Sequence, residues 1–220
     1  MDQIGFPLFL SVKVAVFSTF FSGIFGIIAG YFIYSRKFRG KEILDTLITV
    51  PMVLPPTVTG LYLMMIFGRN GILGGILYDL TGISIMFSWQ AAVFASFFVS
   101  APITFKTTRS AFEAVDKNLV EISFVLGKSE LRTFFLIIFP LAWKGIAAGL
   151  VLAFARALGE FGATLMLAGN IEGKTNTVPL AIYTLATSGK ETDAHILALI
   201  FVLFAFLFLY LIKKLGKQHA

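Results

Sequence analysis

The sequence predicts an all-α membrane protein that crosses the bilayer several times, and three observations support this. Hydrophobic residues make up 57% of the 220 positions. Charged residues make up only 14%, against about 25% in an ordinary soluble domain. Five apolar stretches each approach or exceed the roughly 20 residues that a spanning helix needs. These stretches are residues 8–34, 43–67, 84–105, 146–168 and 194–212. The composition excludes a disordered chain and argues against a free-standing cytosolic enzyme.

The distribution of lysine and arginine predicts the orientation in the membrane. Thirteen of the 18 basic residues fall in the segments that would lie on one side. Because basic residues accumulate in cytoplasmic loops, we place the N-terminus outside and the C-terminus inside. The net charge of +6 then reflects this bias and not a nucleic-acid partner. The thirteen residues are Arg36, Lys37, Arg39, Lys41, Lys106, Arg109, Lys117, Lys128, Arg132, Lys144, Lys213, Lys214 and Lys217.

Three prolines predict a bend in the second apolar stretch. Pro51, Pro55 and Pro56 each lack a backbone N–H, so the helix must kink or unwind near them. The carbonyl groups freed by such a bend, together with Thr57 and Thr59, are then available to line a cavity. An ordinary kink in a packed helix is the alternative that the prolines leave open.

The fourth apolar stretch carries two opposite charges. Arg156 and Glu160 are four residues apart, so they share one helix face and can pair. Arg156 lies about 15 Å past Ile146 along a helix, and a charge at that depth costs about 3 kcal/mol. The pair is either a self-neutralised structural pair or part of a polar path or gate. An arginine there suits a tetrahedral anion, because its guanidinium donates two parallel hydrogen bonds.

Two stripes of small residues predict close helix packing, since each recurs every four residues. One lies on the first span and the other on the fourth. They consist of Ser18, Ser22, Gly26 and Gly30, and of Gly145, Gly149, Ala153 and Ala157.

The segment 106–145 is the one sizeable part of the chain that the charge distribution places in the cytoplasm. Asn118 is expected to cap a short amphipathic helix, and Gly127 is suited to end it. Ser129 is expected to cap a second helix, which Pro140 would break before the fourth span. The first helix either lies on the membrane surface or docks on a soluble partner.

The spacing within this segment resembles the EAA loop of the permease subunits of ABC importers. Counting from Glu121, a glycine follows at +6, an isoleucine at +16 and a proline at +19, as in that loop. Ile122 and Ser123 stand where the family has two alanines, and Phe139 where it has leucine. The resemblance implies a coupling helix that docks on a separate ATPase subunit, which binds ATP and Mg²⁺. The residues that it assigns to this coupling are Glu121, Ile122, Ser123, Gly127, Ile137 and Pro140.

Residues 50–60 and 154–179 carry a second resemblance, and the run Leu-Gly-Glu-Phe-Gly-Ala at 158–163 is its most specific part. They are similar to the molybdate permease branch of the ABC importers, which is closely related to the sulfate permeases. The resemblance implies a type I ABC importer permease fold. It also implies a single transmembrane domain over residues 1–220 and a place in the cell inner membrane.

The same resemblance implies a function by alternating access. The cargo would be a tetrahedral oxyanion, with molybdate first and tungstate or sulfate next. A second copy of the chain, the ATPase subunits and an extracytoplasmic oxyanion-binding protein would complete the transporter. The binding protein would deliver the cargo near the outer loops 69–83 and 169–193. The residues expected at the pathway or gate are Arg156, Glu160, Thr57, Thr59, Pro55 and Pro56.

The residue inventory argues against chemistry on this chain. It has two histidines and no cysteine, so we expect no metal site and no catalytic group. Residues 168–175 fail as a phosphate-binding loop, because Ala168 stands where that motif requires glycine. Two rival functions remain, an ATP-independent channel or secondary transporter for a small anion, and an integral membrane enzyme. A channel would have no use for Glu121 or Gly127.

Overall fold

A computed structural model describes residues 4–217, without the side chains of residues 212, 213 and 215–217. Helices and short connections account for this part of the chain. The elements are α1 (Gly5–Ser35), α2 (Lys41–Val53), α3 (Pro56–Phe67), α4 (Ile72–Thr81), α5 (Trp89–Glu113), α6 (Lys117–Val125), α7 (Glu130–Thr133), a π-helical turn (Phe134–Ile138), α8 (Phe139–Leu158), α9 (Gly162–Ala168), α10 (Val178–Thr187) and α11 (Glu191–Lys217).

Four of the described helices are long and apolar enough to cross a membrane, and a bent pair brings the number to as many as five. The four are α1, α5, the continuous run Glu130–Leu158 and α11, and the bent pair is α2 with α3. The five predicted spans agree with this architecture. The side chains of Lys213 and Lys217, which contribute to the predicted orientation, lie outside the described residues.

The second span bends where the prolines predict. Helix α2 ends at Val53 and α3 begins at Pro56, and their axes are 115° apart. Pro51 is accommodated inside α2, whereas Pro56 occupies the first turn of α3, where its missing N–H costs nothing.

The fourth span differs from the predicted helix over residues 146–168. Its helical run begins as early as Glu130, ends at Leu158, and resumes only at Gly162. The expectation that Pro140 breaks the helix is wrong. The π-helical turn directly before it widens the helix, and this relieves the clash between the proline ring and the preceding turn. The connection predicted to be cytoplasmic is accordingly shorter than residues 106–145, because α5 also continues to Glu113.

The small-residue stripes pack as predicted, where α1, α5 and α8 meet. A Cβ on Gly26 would lie 2.9 Å from the backbone of Thr104, and one on Gly149 would lie 2.0 Å from Oγ1 of Thr107. The hydroxyl of Ser22 lies 2.9 Å from that of Ser100, and both serines are fully buried. The core of the bundle therefore depends on backbones that approach one another closely.

We predict that Gly149→Val destabilises the protein while Ala148→Val does not. The new side chain would overlap Thr107, and overpacking costs about 1–3 kcal/mol, which corresponds to a fall of about 5 °C in the unfolding midpoint. Ala148 is the exposed neighbour on the same helix, so its variant introduces a valine without the overlap with Thr107. Thermal unfolding of both purified variants in detergent checks this, and equal midpoints would contradict it.

Candidate functional site

The breaks in the second and fourth spans lie against each other. A Cβ on Gly162, at the start of α9, would lie 3.0 Å from the backbone nitrogen of Thr57 at the start of α3. A Cβ on Gly60 would lie 2.8 Å from Cα of Ala163. Because glycine has no Cβ, α3 and α9 approach backbone to backbone. Two interrupted helices thus meet at their interruptions.

Glu160 fills the break in the fourth span. Its side chain is 1% exposed, and its Oε1 accepts a hydrogen bond of 2.8 Å from the backbone N–H of Ala163. Its Oε2 lies 2.8 Å from Nη1 of Arg156, which is in the last turn of α8. This second contact is an ion pair whose angles fall outside those of a hydrogen bond. The predicted pairing of Arg156 with Glu160 is confirmed, but the two residues flank the end of a helix and do not share one continuous helix.

The two partners of this ion pair differ in exposure. The carboxylate is buried, whereas the side chain of Arg156 is 32% exposed. A guanidinium has five N–H donors, and one carboxylate oxygen occupies only part of them. The arrangement can therefore offer charge-assisted hydrogen bonds to an anion while the glutamate balances the charge of the arginine.

The other residues predicted for the pathway divide into two groups. Pro55 and Thr57 are exposed and Pro56 is half-buried, so the bend of the second span faces outward from this chain. Thr59 is buried, and its hydroxyl has no hydrogen-bond partner among the described residues. Thr164 on α9 is also buried, and its hydroxyl likewise has no hydrogen-bond partner among the described residues. Thr59 therefore does not line an open cavity in this state.

A second candidate region is the helix α6 on the predicted cytoplasmic side. Asp116 caps it, since Oδ1 accepts a hydrogen bond of 2.9 Å from the backbone N–H of Asn118. The expectation that Asn118 is the cap is wrong. Asp116 is equally suited to capping, and the helix begins at Lys117, two residues earlier than a cap at Asn118 would give. Ser129 does cap α7, as predicted.

Gly127 ends this helix, as predicted, in a Schellman motif. Its φ of +72° lies in the left-handed region. The N–H of Gly127 donates to the carbonyl of Phe124 at 2.9 Å, and that of Lys128 donates to the carbonyl of Ser123 at 3.1 Å. A Cβ at Gly127 would meet nothing within 4 Å, so this corner projects away from the rest of the chain.

The exposed face of this region is apolar. Ile122 is 54% exposed, Val125 86% and Leu126 71%, and Glu121 is exposed beside them. Ser123 points the other way, where its hydroxyl lies 2.8 Å from that of Thr133. Of the remaining residues predicted for coupling, Ile137 is half-buried and Pro140 is exposed.

The segment after Gly127 is also attached to the first span. Glu130 forms an ion pair of 3.2 Å with Arg36 and accepts a hydrogen bond of 3.4 Å from Tyr31. The ring of Tyr31 packs edge-on against Phe134 with centroids 4.5 Å apart. No spacing in the sequence predicts these contacts, because they join residues about 100 positions apart.

Within residues 4–217, no three histidine, aspartate or glutamate side chains come close enough to hold a metal ion.

Comparison with known proteins gives three results. Residues 22–217 match the family described as binding-protein-dependent transport system inner membrane components. The molybdenum transport system permease ModB of Escherichia coli K12 is 42% identical over 94% of this chain and 91% of its own length. ModB of Haemophilus influenzae is 40% identical over 95% of this chain and 92% of its own length.

Among solved structures, a bacterial ABC transporter involved in the import of the acidic polysaccharide alginate has a similar fold. The TM-score is 0.80, and the alignment covers 99% of this chain and 80% of the other. The sequence identity is 14%, so the likeness concerns the fold. It supports the predicted fold class of a type I ABC importer permease.

We predict that Glu160→Leu destabilises the chain by about 3 kcal/mol, because it removes the Ala163 cap and strands the charge of Arg156. Glu160→Gln keeps an oxygen that can accept the hydrogen bond from the N–H of Ala163, so it should lose less stability. Replacing both charged residues by leucine should cost less than the two single replacements added together. Unfolding in a titration with sodium dodecyl sulfate measures these differences. Additive effects would show that the pair is not coupled.

Proposed function

Since the chain belongs to the family of binding-protein-dependent transport system inner membrane components, and is a transport subunit and not an enzyme, we propose that its cargo is molybdate. It is a multi-pass protein of the inner membrane. The near-full-length likeness to molybdenum permeases carries the choice of cargo. Tungstate and sulfate are the next candidates, because they are tetrahedral dianions too. An ATP-independent channel or secondary transporter is not favoured, since the relatives are permeases.

The pathway proposed for the anion passes the two breaks. Irregular backbone at membrane depth is tolerated only where protein covers it or where it lines an aqueous cavity. In a single chain Pro55 and Thr57 are exposed at such a break. This supports an assembly in which a second copy faces the first across the break, with the pathway between them. Arg156 then presents its exposed part to the passing dianion.

The coupling proposed for this chain begins at the exposed corner around Gly127. The apolar side chains of Ile122, Val125 and Leu126 suit a groove on an ATPase subunit, which would bind ATP and Mg²⁺. From there the continuous helical run Glu130–Leu158 leads directly to Arg156. Movement of the corner by the ATPase would therefore reach the break as a shift of one rigid element.

The delivery step proposed for the outer side uses the connections between spans. The loops 69–83 and 169–193 contain the short helices α4 and α10. An extracytoplasmic binding protein would dock there and release its oxyanion towards the pathway, while choosing among the anions itself. The exposed carboxylate and ammonium groups of these loops offer polar contacts for such a partner.

ATP hydrolysis in proteoliposomes tests the proposal. They would contain this chain, its ATPase and its binding protein, and molybdate, tungstate or sulfate would be added in turn. We expect molybdate to stimulate hydrolysis most strongly. Stimulation by sulfate alone would overturn the choice of cargo. Anion flux without the ATPase would overturn the importer itself and favour a channel.

The corner at Gly127 generates a first prediction. Gly127→Trp should abolish uptake, because an indole there projects into the space that the ATPase would occupy. Gly127→Asn is the matched control, since asparagine tolerates a positive φ better than other residues and is smaller. Uptake and co-purification of the ATPase are the measurements. Normal uptake in the tryptophan variant would rule out docking at this corner.

Arg156 generates a second prediction. Arg156→Leu should lower the stability of the chain, because it strands the buried carboxylate of Glu160. In the complex that still assembles, it should reduce molybdate uptake at least about tenfold, the effect of losing one charge-assisted contact. Arg156→Lys keeps the charge without the planar fork, so its uptake should lie between that of the unmodified chain and that of Arg156→Leu. Uptake is normalised to the amount of complex that purifies with the ATPase. If uptake is unchanged, the ion pair has only a structural role.

A further inference from the structure

An aromatic groove lies on the outside of the bundle between α1 and α5. Phe17 and Phe21 form one wall, Trp89, Phe94 and Phe97 form the other, and the largely buried Val93 forms its floor. Its volume is about 460 Å³. Phe17 and Phe21 are 42% and 48% exposed, so the groove is open to its surroundings along its length. We call these six residues the aromatic groove.

One end of the aromatic groove carries a positive charge. The ammonium group of Lys13 lies 3.5 Å from the centre of the Trp89 ring, above its face. Lys13 forms no ion pair with any described residue, and the hydrogen bonds of the described chain do not include its ammonium. An ammonium has three donors, and contact with an aromatic face leaves them available to an anion.

The depth of this charge matches the outer surface of the membrane. The 31 residues of α1 extend over about 46 Å, whereas the hydrocarbon core is about 30 Å thick. Because the basic residues Arg36 and Lys37 directly follow the inner end of α1, most of the excess length lies at its outer end. Lys13 is about 12 Å from the outer end, and Trp89 is the first residue of α5, the place where interfacial tryptophans concentrate.

We propose that the aromatic groove binds one anionic phospholipid of the outer leaflet. The phosphate accepts hydrogen bonds from Lys13, and the exposed amide of Gln90 lies beside it. An acyl chain lies along the aromatic side chains. The ammonium of Lys13, which has no ion-pair partner among the described residues, determines which class of lipid binds. It attracts a headgroup of net negative charge, whereas a zwitterionic headgroup brings an ammonium of its own.

The two tryptophans of the chain allow a direct test, because Trp89 lies in the groove and Trp143 lies on α8. In a Trp143→Phe background, Trp89 is the single tryptophan of this chain, and a Trp89→Phe variant in the same background measures the fluorescence of the ATPase and the nanodisc scaffold, which is subtracted. The full chain is assembled with its ATPase in nanodiscs that contain phosphatidylglycerol or phosphatidylethanolamine brominated on the acyl chain. Bromine quenches a tryptophan that it contacts, so competition between the two lipids gives their relative affinity for the groove.

We expect phosphatidylglycerol to bind about five times more tightly than phosphatidylethanolamine. This ratio corresponds to the attraction between anionic lipid and one basic residue near the membrane surface. Lys13→Gln should abolish this preference, while Lys13→Arg should keep it. Lys174→Gln, which removes an exposed lysine of an outer loop, is the matched control and should leave the lipid preference unchanged. Equal quenching by both lipids, or a preference that survives Lys13→Gln, would overturn the site. Absence of quenching would mean that protein, such as a second copy, covers the groove.

Discussion

The constraint on which this structure depends is that backbone polar groups inside a bilayer must find partners within the protein. Two spans nevertheless interrupt their helices, one between Val53 and Pro56 and the other between Leu158 and Gly162. The interruptions are placed against each other, and the carboxylate of Glu160 accepts the hydrogen bond of an N–H that the second break leaves free. Without this mutual packing, the breaks would be costly defects.

One residue both satisfies the free N–H at the second break and balances the charge of Arg156. Glu160 caps Ala163 with one oxygen and faces Arg156 with the other. Any movement that shifts α8 relative to α9 must therefore change the environment of the arginine. This is a physical reason for a gate to lie at this point. The packing of α1, α5 and α8 through small residues gives the surrounding bundle the rigidity that such a local movement requires.

Much of the fold can be predicted from the sequence, because lipid makes each spanning helix a long apolar run. The bend at Pro55 and Pro56 and the helix end at Gly127 are local effects of single residues, so the sequence predicts both correctly. The break after Leu158 is not predicted, because the run that contains it is apolar and its glycines also suit close packing. The π-helical turn that accommodates Pro140 has no sequence signal of its own.

The short outer helices α4 and α10 are also not predicted from the sequence. Residues 68–75, rich in glycine, predict a loop, but α4 begins within them at Ile72. Helix α10 is not predicted, although a threonine at its N-cap position, Thr177, and a proline in its first turn, Pro179, are typical of a helix start. Contacts between distant residues, such as Arg36 with Glu130, are accessible only from the fold. The roles proposed for Arg156 in the pathway and for α6 in coupling depend on partner chains.

In the alternating-access mechanism proposed for this chain, the break beside Thr57 opens to the outside when the ATPase closes. The chain has no native cysteine, so Thr57→Cys introduces a single reactive thiol. Its labelling by a membrane-impermeant maleimide, added outside proteoliposomes that contain the complete transporter, measures exposure. We expect slow labelling without nucleotide and much faster labelling when ATP is trapped with vanadate. A labelling rate that does not depend on nucleotide would contradict it.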